Sequence, residues 1–396
     1  MKILCVIPSY WPAFIFGGPI FSVHAMNKAL VAKGVEVTVY TTDAGLEGKV
    51  PSNKQVDVDG VRVTYFSHWK LFDFLTSSGW HFSPIFSAVF KKQASSFDVV
   101  YIVGVWNYPP ILAGFYCRKQ KIPFIVSPRG SLYPYTIKKG FWKKKLFYEL
   151  FVKNNFNLAA GVHYTTEEEA KKCHSNLKLK NNAFVVPLGI DQQEFSNLPS
   201  RSVLEKLYPQ IKDKKVILFL GRINWKKGLD LLIKAYANLI KKRDDLHLLI
   251  VGNDEAGHES EVRTWINDCG ISEKVTFTGI LSGEKKLAAL SGSDIFVAPS
   301  YSESFGMSVL EAMATGLVVV VSDQVALCHD IAEYQAGIVV GCEVSSLENG
   351  ILRVLYDDDL RKKMRENAIK LVKDRFGSNR TADNAIKMFD QVIAKR

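Results

Sequence analysis

The chain reads as an α/β protein with two doubly wound, Rossmann-like domains facing a central cleft, and three observations predict it. Short β-branched apolar runs alternate with amphipathic stretches from end to end, the scheme restarts near Lys215, and a turn-rich stretch at 187–199 (PLGIDQQEFSNLP) separates the halves. At ~100–200 residues per domain, 396 residues make two domains.

In the first half, apolar runs predict strands at 3–8, 35–41, 61–66, 99–103, 124–127, 161–164 and 184–187, with helices such as 21–32 and 111–118 between them. The second half repeats the pattern with strands at 215–220, 246–251, 275–278, 295–298, 317–321 and 338–340. Beyond Leu355 only helical periodicity remains, interrupted near Asp357 and at Gly377. The expected division is 1–190, 191–376 and a last helix, 377–396, which is a candidate to cross back to the first domain.

Composition narrows the class. With 47% apolar and 23% charged residues the chain is expected to be globular, and no apolar run approaches the ~18 residues of a membrane span. The six cysteines include no C-x-x-C pair, so no zinc knuckle or redox dithiol is spelled out, and a cytoplasmic location is the simplest expectation. The net charge of +11 is unevenly spread: residues 1–190 hold 23 Lys/Arg against 11 Asp/Glu, residues 191–396 hold 28 against 29. An anionic partner for the first half is therefore expected, nucleic acid or a membrane surface. No basic reading motif is present, which argues against nucleic acid.

Two strand-to-helix turns in the second half carry the chemistry. After the strand at 295–298 comes a loop, 301–306, and then the periodic residues Met307, Leu310 and Met313 of a helix. In a doubly wound fold the ligand crevice lies at this edge of the sheet, and the amides of a helix N-terminus suit a phosphate. Gly306 lets backbone approach a ligand, Glu303 lies in the loop, and Glu311 points back toward the same crevice. A carboxylate accepts from two adjacent hydroxyls, as a sugar or ribose presents them. Either Glu alone is as well read as a helix-dipole partner. The second turn, Gly221–Gly228 (GRINWKKG), changes the balance by placing a guanidinium, Arg222, and an ammonium, Lys227, after another buried strand.

Glu303 and Glu311 with Ser304-Phe305-Gly306 between them, together with Arg222, Lys227 and Gly228, resemble the retaining nucleotide-sugar glycosyltransferases of family 4 (GT4-type), with the GT-B fold. Gly17-Gly18-Pro19, Ser127-Pro128-Arg129-Gly130, Thr165-Thr166-Glu167 and Pro187-Leu188-Gly189 extend the likeness over nearly the whole chain. The resemblance implies that 1–190 binds the acceptor and 191–376 the donor. Arg222 and Lys227 would hold the donor diphosphate, Glu311 the ribose hydroxyls and Glu303 the donor sugar. Gly17, Gly18, Gly221, Gly252, Leu281, Ser304, Phe305 and Gly306 would complete the donor site, largely through backbone. It further implies retention without a clear enzyme nucleophile and, because two cations can meet the leaving phosphate, a metal-independent reaction without a cofactor.

Many members of that family have His where this chain has Arg129, which is always charged and suits an anion, so Arg129 is a candidate catalytic residue or, equally, a member of a structural ion pair. Trp106 and Asn107, just past the strand at 99–103, are candidates for the acceptor pocket or for the core. Lys138, Lys139, Trp142, Lys143, Lys144 and Lys145 form a basic, aromatic segment. Trp142, Leu146 and Leu150 recur at helical spacing there, fitting either an anionic membrane interface or an ordinary packed helix. The expected function is transfer from a UDP- or GDP-sugar to a saccharide acceptor, polyprenyl-diphosphate-linked, in surface polysaccharide synthesis at the inner membrane face. A small soluble acceptor, or a non-catalytic nucleotide-sugar-binding subunit, are the alternatives.

Overall fold

The computed structural model describes residues 1–75, 79–133, 141–255 and 257–395. The chain divides into two compact units, Met1–Gly189 with Ser378–Arg396, and Ile190–Gly377. Each is built on its own sheet.

The first unit carries β1 (Lys2–Val6), β2 (Glu36–Thr42), β3 (Gln55–Val58), β4 (Val61–Phe66), β5 (Val99–Val103), β6 (Phe124–Ser127), β7 (Gly161–Tyr164) and β8 (Asn182–Val185). They lie in the order β3-β4-β2-β1-β5-β6-β7-β8. All neighbours are parallel except the β3–β4 hairpin, in which Val56 faces Val63. The strand order reverses between β1 and β5, where Ile3 pairs with both Val37 and Val99. Residues such as Leu4, Val100 and Ile125 are fully enclosed because helices cover both faces of the sheet. Helix Ser378–Ile393 packs Ala382, Ala385 and Phe389 into the same core as β1, β5 and helix Gly18–Ala32. A Lys33–Asp383 ion pair of 2.7 Å lies beside that contact.

The second unit is wholly parallel: β9 (Lys215–Leu220), β10 (Leu246–Val251), β11 (Val275–Gly279), β12 (Ile295–Ala298), β13 (Val318–Ser322) and β14 (Gly337–Val340), in the order β11-β10-β9-β12-β13-β14. Ile295 pairs with Ile217 on one side and Val318 on the other, so the reversal falls between β9 and β12. The valine run of β13 is buried on both faces. Helix Leu229–Lys242 contributes Leu229, Leu232, Ile233 and Tyr236 to one side of this core.

The structure departs from the sequence reading or adds to it in three places. The strand at 184–187 lies two residues earlier, as β8, and the Val186 amide continues its ladder with β7 by one bond to Tyr164 O (3.0 Å). The β3 hairpin strand was not expected, since exposed Gln55 and Asp57 alternate with its half-buried valines and leave no apolar run. Residues 141–157 are helical, but a π-turn at Tyr148–Val152 separates helix Phe141–Phe147 from helix Lys153–Asn157, and Leu146, Leu150 and Phe151 are exposed. No helix among the described residues is long and apolar enough to cross a membrane.

Candidate functional site

In the second unit, the loops that leave the carboxyl ends of β9 and β12 flank the point where the strand order reverses, the place where such a sheet accepts ligands. The loop after β9 starts at Gly221, whose amide donates to Val251 O (2.9 Å). Backbone crowding explains two glycines. A Cβ on Gly252 would lie 1.8 Å from Gly221 O, and one on Gly228 would lie 2.1 Å from Pro299 O with φ at +66°. Asn224 shapes the turn by accepting from the Lys226 amide (3.0 Å), and Gly228 then opens helix Leu229–Lys242.

The two loops are tied together. Tyr301 donates its amide to Lys226 O (2.8 Å) and its hydroxyl to Asp230 (2.7 Å). This latch brings Lys227 Nζ onto the Glu303 carboxylate, a pair shielded from water on most sides. Burial alone would raise the Glu303 pKa, but the Lys227 and Arg222 charges and the Phe305 amide prevail, so it stays below the usual carboxylate range. Glu303 backbone is pinned as well, its amide to Gln324 O (3.1 Å) and its carbonyl to the Ala326 amide (3.0 Å). Arg222 is half exposed and donates to Glu255 (2.7 Å).

Gly306 begins helix Met307–Ala314 with φ at 103°, and Leu310 returns the first helical bond to its carbonyl (3.0 Å). The amides of that first turn have no preceding helical carbonyl to meet, so they suit an anion. Ser304 is half-buried, whereas Phe305 belongs to the core and packs edge-on to Phe376 at 5.8 Å. Glu311, one turn further along, is nearly enclosed and meets Lys286 Nζ at 3.1 Å. Leu281 is half-buried just after β11, beside the exposed Ile280.

The corresponding edge of the first unit holds the remaining candidates. Gly17, with φ at 82°, caps helix Gly18–Ala32 after β1. Arg129, also at positive φ (50°), donates from Nη2 to the Tyr101 hydroxyl (2.8 Å). Tyr101 lies 2.7 Å from His163 Nδ1, and His163 Nε2 lies 2.8 Å from Val186 O. Burial, reinforced by the Arg129 charge, pushes the His163 pKa down to about 3. The neutral ring therefore accepts from Tyr101 and donates to Val186. Arg129 Nε and Nη1 are buried without a hydrogen-bond partner among the described residues.

Trp106 donates to Ser131 O (3.3 Å), and Asn107 is buried with its amide on Gly79 O (2.5 Å), so both side chains have structural partners. Lys144 is half-buried and Lys145 exposed. Trp142 and Lys143 lie in helix Phe141–Phe147 without described side chains, and Lys138 and Lys139 lie outside the described residues. Sequence reasoning missed Glu255, Asp230 and Lys286, the partners of Arg222, Tyr301 and Glu311. A carboxylate just past β10 was a usable signal for Glu255; a lysine on a surface-type helix gave none for Lys286.

A family model described as "Glycosyl transferases group 1" matches residues 204–371, and one described as "Glycosyl transferase 4-like domain" matches residues 17–189. A phosphatidyl-myo-inositol mannosyltransferase of Mycolicibacterium smegmatis is 32% identical over 186 residues, 46% of this chain and 45% of the relative. The chain thus spans about half the length of the curated relatives it matches. Among solved structures, sucrose-phosphate synthase from Thermosynechococcus elongatus aligns over 100% of both chains with a TM-score of 0.78 and 20% identity. Anabaena HepE in complex with UDP and glucose aligns over 98% of this chain and 99% of that one, with a TM-score of 0.75 and 18% identity. With two Rossmann-like units and a family match in each, the chain belongs to the GT4-type glycosyltransferases of GT-B fold.

Proposed function

We propose that this chain transfers a sugar, with retention of anomeric configuration, from a UDP- or GDP-sugar to a hydroxyl of a polyprenyl-diphosphate-linked saccharide in surface polysaccharide synthesis. The observation that carries this reading is the joined pair of loops after β9 and β12, which sets Arg222, Lys227 and Glu303 beside the opening of helix Met307–Ala314. Breaking the bond between the anomeric carbon and the phosphate oxygen leaves negative charge on the diphosphate and positive charge on the ring. Arg222, Lys227 and helix amides stabilise the first, and the Glu303 carboxylate faces the second. Glu311 accepts from the ribose hydroxyls. A donor phosphate oxygen takes the acceptor proton, so no enzyme nucleophile is required, and Arg129 serves the acceptor side.

Because two side-chain cations meet the leaving group, the reaction is proposed to need neither a metal nor a cofactor. The UDP complex of the HepE fold relative and the lipid named in the mannosyltransferase relative support the donor and acceptor classes. A peripheral position on the inner membrane face is supported by exposed Trp69, Leu71, Phe74, Leu146 and Leu150 in the basic first unit. A chain of ring contacts, Trp69–Phe82–Tyr108–Trp80–Phe147, links their two segments.

The test is calorimetry with UDP- and GDP-sugars, followed by turnover on a polyprenyl-diphosphate saccharide in excess chelator. Binding of one donor and undiminished turnover are expected. Failure of every donor to bind, or loss of turnover restored by magnesium, overturns the corresponding part of the reading.

A further inference from the structure

Lys286 stands on helix Gly283–Gly292, which crosses from β11 to β12, and in its first turn. That position is doubly unfavourable for a lysine. The helix N-terminus repels a cation, and the side chain is withdrawn from water, with 17% of its surface exposed. The compensating group is Glu311, 10% exposed, whose Oε1 lies 3.1 Å from Lys286 Nζ. The contact joins the first turn of one crossover helix to the second turn of the next, close to the ligand-binding edge of the sheet.

We infer that Lys286 is a positioning residue for the donor: by holding Oε1 of Glu311 it directs the other carboxylate oxygen to the ribose hydroxyls, and so sets the preference for ribonucleotides over 2′-deoxyribonucleotides. The inference rests on the proposed role of Glu311 as the ribose acceptor. An ammonium on one oxygen stops the carboxylate from rotating among rotamers that miss the hydroxyl.

The test is titration calorimetry on the full chain with UDP, 2′-deoxy-UDP, GDP and 2′-deoxy-GDP, using the better-bound base for wild type, Lys286→Met and Lys286→Arg. Wild type is expected to prefer the ribonucleotide about tenfold or more, the scale of a hydrogen bond to a charged group. Lys286→Met should reduce the preference to about threefold or less, while its 2′-deoxynucleotide affinity stays near wild type and so reports an intact fold. Lys286→Arg should restore most of the preference. If Lys286→Met does not fold, Lys286→Gln takes its place. An unchanged preference in the methionine variant overturns the inference while leaving the ribose role of Glu311 standing. Equal weakening of both nucleotides also overturns it, since Lys286 would then hold phosphate itself. Absence of any preference in wild type removes the ribose role, and the inference with it.

Discussion

At the scale of single residues, the site is an arrangement of opposite charges that neutralise one another through defined partners. Lys227 is held by Glu303, Arg222 by Glu255 and Glu311 by Lys286. In the proposed reaction, a diphosphate entering this edge would compete for Lys227 and Arg222, and their value would lie in the charge that develops on the leaving group. Lys227→Ala and Arg222→Ala are each expected to lower turnover roughly a hundredfold or more, the usual scale for removing such a contact. The measurement is steady-state kcat and KM for each variant; near-normal turnover in both removes the diphosphate assignment. Glu303→Gln should lower kcat more than it changes KM, because its contact tightens as the ring gains positive charge.

At the scale of elements, β5, β6, β9, β10 and β12 were legible residue for residue, because strands buried on both faces need uninterrupted apolar runs. β3 was not, since its exposed Gln55 and Asp57 carry no such requirement. The π-turn at Tyr148–Val152 also escaped, because an inserted residue shifts a helical face without altering composition. The positions of Arg222, Lys227 and Glu303 in the turns after β9 and β12, and of Glu311 on the helix that follows, were legible from spacing after strands. Their partners were not, because Lys286 and Glu311 are 25 positions apart and meet only once the sheet order is set. The latch between the loops depends on Gly228, whose Cβ would strike Pro299 O. Gly228→Ala is expected to cost about 2 kcal/mol or more and to weaken nucleotide binding, since the loop must move. Gly270→Ala is the control, with the same φ of +66° and open space around it among the described residues. It should cost about 1 kcal/mol and leave binding intact. Thermal unfolding with and without nucleotide separates the two, and equal effects count against the latch.

At the scale of the whole molecule, two properties extend beyond the site: its acid response and its uneven charge. His163 is neutral in the fold, with its pKa near 3, and titrates near 6.5 once unfolded. The unfolded chain therefore takes up a proton that the folded one refuses. The penalty is absent above about pH 6.5 and grows as pH falls toward 3, at up to about 1.4 kcal/mol per pH unit. Scanning calorimetry should show the transition of the first unit moving down between pH 7 and pH 5, with a shallower dependence in His163→Gln. Equal slopes would place the acid sensitivity elsewhere.

The charge asymmetry leads to a prediction about surfaces. Residues 137–153 hold six Lys and one Glu, and each lysine near an anionic bilayer contributes about 1 kcal/mol before screening. Leu146 and Leu150 are each 62% exposed, and Leu71 and Phe74 are more exposed still, so apolar groups stand ready to enter the interface. Binding should then have one component that salt removes and one that it does not. The protein is expected to sediment with anionic liposomes more than with neutral ones. Replacing Lys143, Lys144 and Lys145 by Glu should abolish the anionic preference. Leu71→Ser with Phe74→Ser should instead remove the salt-resistant fraction, and both variants should retain nucleotide affinity, since these residues lie in the other unit. If wild type does not sediment, or neither variant differs from it, these side chains serve another contact and the soluble-acceptor alternative becomes the better account.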